Sequence, residues 1–76
     1  MIGKILKTMR KINNFTQTEL SKKIGIPQNT LSQYETGRIE PTYEMILKIS
    51  KACGFEIEFK NNEYILTSNN IDRKEL

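Results

Sequence analysis

Residues 16–37 read TQTELSKKIGIPQNTLSQYETG, and this stretch decides the fold. Thr16 and Glu19 have the spacing of a capping box, in which each residue's side chain accepts from the other's backbone N–H, and Phe15 and Leu20 flank them as a hydrophobic staple. A helix therefore begins at Thr16. Leu20 and Ile24 give it a short apolar stripe, and Gly25 stops it with a residue that tolerates the left-handed conformation. Ile26 and Pro27 follow at once, and Pro27 presets its φ for entry into a new helix. That helix covers about residues 28–36 and ends at Gly37. At 100° per residue Leu31 and Tyr34 face one side, while Gln28, Asn29, Ser32, Gln33 and Thr36 fan over roughly 140° on the other. The fan holds no charged residue, although solvated helix faces usually carry Lys and Glu. Amides and hydroxyls so arranged make a surface suited to hydrogen-bonding a partner.

Working outward, Ile2, Ile5, Leu6, Met9 and Ile12 recur at helical spacing with Lys4, Lys7 and Lys11 on another face, so an amphipathic helix precedes the central pair. Beyond the loop that holds Arg38 and Pro41, Thr42 caps a fourth helix. Glu44 sits in its first turn, Met45, Ile46, Ile49, Ala52 and Cys53 face inward, and Gly54 closes it. The period then changes to two. Phe55, Ile57 and Phe59 alternate with Glu56, Glu58 and Lys60, and Asn61 and Asn62 suit a two-residue turn. Such a turn pairs Lys60 with Glu63, Phe59 with Tyr64 and Ile57 with Leu66, which puts the apolar residues of both strands on one face and only Ile65 on the other. The expected organisation is mainly α: four helices over residues 1–54, a β-hairpin over residues 55–67, and a flexible tail over residues 68–76.

Composition narrows the function. The chain has 76 residues, 37% apolar and 28% charged, with a mean hydropathy of −0.54, which fits one small soluble domain. A deep catalytic cavity is not expected at a size that buries only about 60% of the unfolded surface. There is no histidine and a single cysteine, so no intramolecular disulfide forms, no histidine-dependent zinc site or catalytic pair exists, and no enzyme, metal or other cofactor is expected. Cys53 reads as a small buried hydrophobe. No apolar run approaches the roughly 18 residues of a membrane span, and the lysines among the first residues leave no signal-peptide block, so a cytoplasmic location is expected. Nothing suggests a small-molecule substrate. The net charge of +3 is uneven: residues 1–54 hold nine Lys or Arg against four Glu, a cationic balance that suits a polyanion.

Helix, tight turn and helix, with an uncharged amide face on the second, outline a helix-turn-helix reader of DNA. The residues also resemble a known family. Gln17, Leu20, Ser21, Ile24, Gly25 and Ile26 follow Q-x-x-L-S-x-x-I-G-I, and Tyr34, Glu35, Gly37 and Pro41 follow Y-E-x-G-x-x-x-P, with Leu31 at the core position between them. Both patterns are similar to those of phage-repressor (Cro-like, Xre-type) helix-turn-helix domains, and the likeness covers residues 1–54. It implies a lambda-repressor-like fold on double-stranded DNA, with the second helix across the backbone and the third in the major groove. Gln28, Asn29, Ser32 and Gln33 match the base-reading positions, and Gln17 the phosphate-donating one. Thr18, Lys23, Thr30 and Arg38 join Gln17 as phosphate-contact candidates. Arg10 and Glu35 correspond to an ion pair that ties the first helix to the third, which makes Arg10 architectural. Pro27 departs from the family's usual Ser, Thr or Asp cap. The hairpin replaces a fifth helix and, being marginal alone, is expected to join two copies into a homodimer through Phe55, Ile57, Phe59, Tyr64, Ile65 and Leu66. A strand after the fourth helix is similar to HipB-like antitoxins, which implies a toxin protein as a possible partner. A phage or chromosomal repressor without one is the alternative.

Overall fold

A computed structural model describes residues 2–68 and orders them as four helices and a hairpin: α1 (Ile2–Ile12), α2 (Gln17–Ile24), α3 (Gln28–Thr36), α4 (Tyr43–Ala52), β1 (Phe55–Lys60) and β2 (Glu63–Ser68). The chain is mainly α, as its periodicity predicts. Residues 69–76, where a flexible tail is expected, lie outside the described residues, and the hairpin reaches Ser68, one residue past its expected end.

The caps fall where the side chains dictate. Thr16 Oγ1 accepts from the Glu19 N–H at 3.0 Å, and Glu19 Oε1 accepts from the Thr16 N–H at 2.9 Å. Gly25 takes φ +79°, and the Ser21 carbonyl accepts from the N–H groups of both Gly25 (2.8 Å) and Ile26 (3.0 Å). Only Gly25, Ile26 and Pro27 separate α2 from α3, so two amides on one carbonyl and a proline ring fix the angle between these helices. Thr42 Oγ1 caps α4 by accepting from the Met45 N–H at 3.1 Å.

Leu6 and Met9 of α1, Leu20 of α2, Leu31 of α3, and Ile46 and Ile49 of α4 are fully buried and meet at the centre, joined by Ile2, Ile24, Cys53 and Ile57. Ile12, placed by spacing on the inner face of α1, is instead 61% exposed. The buried face is turned toward Gly3 and Arg10, because α1 runs close over the end of α3 and sends Arg10 into it. That rotation lifts Ile12 away from the core. Asn13 then ties α1 to α4, since its Nδ2 donates to the carbonyls of Met9 (3.0 Å) and Cys53 (2.9 Å).

Gly3 marks the close crossing. A Cβ there would lie 2.6 Å from the carbonyl oxygens of both Tyr34 and Glu35. Replacing glycine by alanine inside a helix ordinarily gains about 0.5–1 kcal/mol. Gly3→Ala is expected to reverse that sign and cost about 1–3 kcal/mol by forcing α1 off α3. Chemical denaturation checks it, and a stabilised variant would show that the helices separate freely.

The hairpin has the expected register, Lys60 opposite Glu63, Phe59 opposite Tyr64 and Ile57 opposite Leu66. Asn61 and Asn62 turn it with φ +53° and +65°, the two positive values of a type I′ turn, whose twist matches that of the strands. β1 lies against α4, and Phe55, Tyr64 and Leu66 pack half-buried on the helical core. Phe59 and Tyr64 meet beyond it as a tilted pair, ring centroids 4.9 Å apart and planes inclined by 52°.

Candidate nucleic-acid interface

The candidate surface is α3 with the start of α2. α3 carries one charged residue, Glu35, and buries it. Gln28 and Asn29 are exposed, and Thr30, Ser32 and Gln33 half-buried. All four expected base-reading residues therefore sit on a helix whose one charge is buried, with Gln28 and Asn29 in its first turn. Thr36 belongs less to this surface, because its Oγ1 donates back to the Gln33 carbonyl at 3.3 Å. Pro27 gives α3 no side-chain cap, as its chemistry requires, so the first-turn amides lack the acceptor that a Ser or Asp cap supplies.

Beneath this surface runs a continuous polar chain. Arg10 Nε donates to Glu35 Oε2 at 2.7 Å and Arg10 Nη2 to Glu35 Oε1 at 3.0 Å, while Arg10 Nη1 donates to the Phe15 carbonyl at 2.9 Å. The ion pair implied by the family resemblance is present, with side chains only 10% and 2% exposed. It extends further than the sequence indicates. Gln17 Nε2 donates to Glu35 Oε1 at 3.0 Å, and Gln28 Nε2 donates to Gln17 Oε1 at 2.7 Å. Gln17, expected as a phosphate donor, is thus bonded at both ends of its amide and keeps one N–H uncommitted.

Among the other phosphate candidates, Thr18, Lys23 and Arg38 are exposed and Thr30 is half-buried in the first turn of α3. Lys23 Nζ stands 6.0 Å from the centre of the Phe15 ring. Arg38 follows the Gly37 turn, its N–H donating to the Gln33 carbonyl at 3.0 Å. Cys53 is 4% exposed, and burial pushes its thiol from 9.0 up to about 11, against the opposing pull of Arg10 and Lys23. A thiol so held is protonated at neutral pH and inert as a nucleophile.

The six residues expected at a dimer contact divide. Ile57 is 5% exposed and belongs to the chain's own core, because the β1 register points it at α4. It offers no surface to a second copy. Phe55, Tyr64 and Leu66 are half-buried, and Phe59 (53%) and Ile65 (42%) remain exposed on opposite faces of the hairpin. Among the described residues no helix is long and apolar enough to cross a membrane, and no group of three His, Cys, Asp or Glu is placed to hold a metal.

Two short helices set by a rigid turn, the second with a charge-free polar face, define a helix-turn-helix DNA-binding module. The chain belongs to the Xre-type helix-turn-helix family, whose profile matches residues 6–60. It is 38% identical over 53 residues to an uncharacterized HTH-type transcriptional regulator of Methanocaldococcus jannaschii, covering 70% of this chain and 80% of that protein. It is 44% identical over 46 residues to the antitoxin PezA of Streptococcus pneumoniae, covering 60% of this chain and 29% of PezA. It is 32% identical over 60 residues to multiprotein-bridging factor 1 of Candida albicans, covering 79% of this chain and 40% of that factor. The likeness to the last two is thus confined to less than half of their length. No solved structure matches.

Proposed function

We propose that the protein is a sequence-specific reader of double-stranded DNA and a transcriptional regulator, acting as a homodimeric repressor on a palindromic operator. The observation that carries this reading is the charge-free face of α3, where Gln28, Asn29, Ser32 and Gln33 stand together on a helix held at a fixed angle to α2. Side-chain amides make paired hydrogen bonds to adenine, and hydroxyls suit several base edges. Lys23, Arg38, Thr18, Thr30 and the free N–H of Gln17 serve the phosphates, which gives affinity without sequence preference. A dimer over a promoter blocks polymerase by occlusion. Catalysis has no part in this function, which takes place in the cytoplasm.

Two copies meet through the hairpin. The Lys60–Glu63 pair flanks the turn and is hydrogen-bonded across it. By alternation the backbone groups of Phe55, Ile57 and Phe59 then point out along the free edge of β1, and those of Tyr64 and Leu66 along the free edge of β2. Such edges pair readily with another strand, and the exposed Phe59 and Ile65 add apolar area beside them.

Selection of bound fragments from random duplex DNA tests the proposal. The expected outcome is an enriched palindrome with half-sites about 34–36 Å apart, or a multiple of one helical turn. Absence of enrichment at every ionic strength would overturn it. Within the selected site, Gln33→Ala is expected to cost about 1–3 kcal/mol and relax preference at one base pair. Lys23→Ala or Arg38→Ala weakens all sequences alike and lowers the salt slope by about one unit. Equal losses for Gln33→Ala on selected and random DNA would remove it from the readers.

The identity with PezA favours a second, narrower reading, that the protein is the antitoxin of a toxin-antitoxin operon and represses its own promoter. A toxin reading frame beside its gene, whose product co-purifies with the protein, is the outcome that supports this. A gene standing alone leaves a repressor without a protein client.

A further inference from the structure

We propose that two copies of the chain meet edge to edge along β2, antiparallel about a two-fold axis at Ile65, so that their hairpins form one four-stranded sheet with the β1 strands outermost. This rests on the reading of the protein as a homodimer joined through its hairpin, and adds to it which edge pairs and in which register.

Symmetry limits the choice. A closed dimer sets an edge against the same edge of its copy, because β1 laid on β2 leaves one edge of each kind free and continues without end. β1 carries the charges that keep a sheet edge unpaired. Glu56, Glu58 and Lys60 alternate along its solvent face, and the cleft between it and α4 is rimmed further by Glu44, Lys48 and Lys51. Its outward backbone groups are those of Phe55, Ile57 and Phe59. A two-fold axis at Ile57 therefore sets Glu56 against the partner's Glu58, and an axis at Glu56 or Glu58 sets that glutamate against its own copy. Like charges directly opposite are destabilising. An axis at Phe59 avoids them but leaves only Glu58 to Lys60 to pair before the turn at Asn61.

β2 has no such protection. From Tyr64 to Ser68 it holds no charged residue, and the backbone groups of Tyr64 and Leu66 point outward. An axis at Ile65 bonds Tyr64 to the partner's Leu66 and Leu66 to the partner's Tyr64, and sets Glu63 against the partner's Thr67. Every pair then lies within the strand and no like charges meet. Ile65 faces the partner's Ile65 as a non-hydrogen-bonded pair, with Cα atoms about 4.5 Å apart. Within one chain Ile65 stands opposite Glu58 on the polar side of the hairpin and is 42% exposed, so the pairing covers with its own copy the apolar side chain that the fold leaves out. Moving the axis to Leu66 sets Ile65 against the partner's Thr67, and moving it to Tyr64 sets Ile65 against the partner's Glu63. Neither buries apolar surface on apolar surface there.

The test uses the full chain, cross-linking and sedimentation equilibrium. Ile65→Cys supplies an accessible thiol, since Cys53, the chain's own cysteine, is 4% exposed. Under oxidised glutathione this variant is expected to form a disulfide-linked dimer, because the 65–65 spacing suits a disulfide. Glu58→Cys is expected to stay unlinked, because in the proposed sheet the two copies of residue 58 stand three strand spacings apart, roughly 14 Å. Ile65→Lys and Ile65→Glu each place two like charges at the axis and are expected to raise the dimer dissociation constant about tenfold or more, with the circular dichroism of the parent kept. An equimolar mixture of these two variants is expected to recover the dimer, which a general loss of folding would not allow. A parent dimer that Ile65→Lys and Ile65→Glu leave unchanged, or faster cross-linking of Glu58→Cys than of Ile65→Cys, overturns the pairing along β2 while the homodimer stands. A parent that sediments as a monomer on its selected operator removes the homodimer, and this pairing with it.

Discussion

Arg10→Ala is expected to cost about 3–5 kcal/mol of folding stability. The substitution leaves the Glu35 carboxylate in place, its side chain 2% exposed, with the Gln17 amide as its remaining side-chain partner. A buried charge without a counter-charge is among the most damaging lesions a small domain can carry. The loss also frees the Phe15 carbonyl, which accepts from Arg10 Nη1 at 2.9 Å, and so loosens the approach to α2. Stability for a domain of this size sits near the lower end of about 5–15 kcal/mol, so the variant should be largely unfolded at physiological temperature. Urea denaturation followed by circular dichroism measures this. Arg10→Met with Glu35→Leu is expected to recover most of the loss, since replacing a whole buried pair by apolar groups is often neutral. If the single variant unfolds within about 1 kcal/mol of the parent, the pair behaves as a surface salt bridge and its structural role is withdrawn.

Leu31→Ala is expected to cost about 2–5 kcal/mol. Leu31 is fully buried, and α3 buries only Leu31 and Glu35. Its apolar anchorage is concentrated in one side chain, with Tyr34 as a half-buried neighbour. A cavity there removes most of what presses α3 onto the other helices, whereas α1 or α4 has several buried apolar residues to share such a loss. Amide hydrogen exchange should show α3 opening at lower free energy than α1 and α4 in this variant. Equal loss of protection across all four helices would mean that α3 is no less anchored than its neighbours.

The parts of this architecture that were legible in the sequence are those set by local chemistry. Thr16 with Glu19, Gly25, Pro27 and Thr42 fixed the helix starts and stops because capping and positive φ depend on neighbours within a few residues. The hairpin register followed from the same-face rule and the two asparagines. What the sequence concealed depends on how elements rotate against one another. The exposure of Ile12 follows from α1 turning its glycine and arginine toward α3, a tertiary choice that helical spacing alone does not encode. Ile57 looked like any other residue of an apolar strand face, and only the seating of β1 against α4 takes it into the core. Gln17 gave a single signal, its place in a family motif, which implied a phosphate donor. The signal for its inner contact was a buried acceptor-only group nearby, and that proximity of Glu35 exists only once the helices are packed.

The hydrogen-bonded route from Arg10 to Gln28 divides the polar face of α3 into two kinds of position. Among the described residues the side chains of Asn29, Ser32 and Gln33 take no part in that route, so under the proposed reading of α3 their exchange alters which operator is recognised and breaks none of its links. Gln28 is seated on Gln17, which is seated on the core. If α3 reads DNA as proposed, descendants of this protein are free to acquire new target sequences at those three positions, while Gln28 changes only together with the residues it is bonded to.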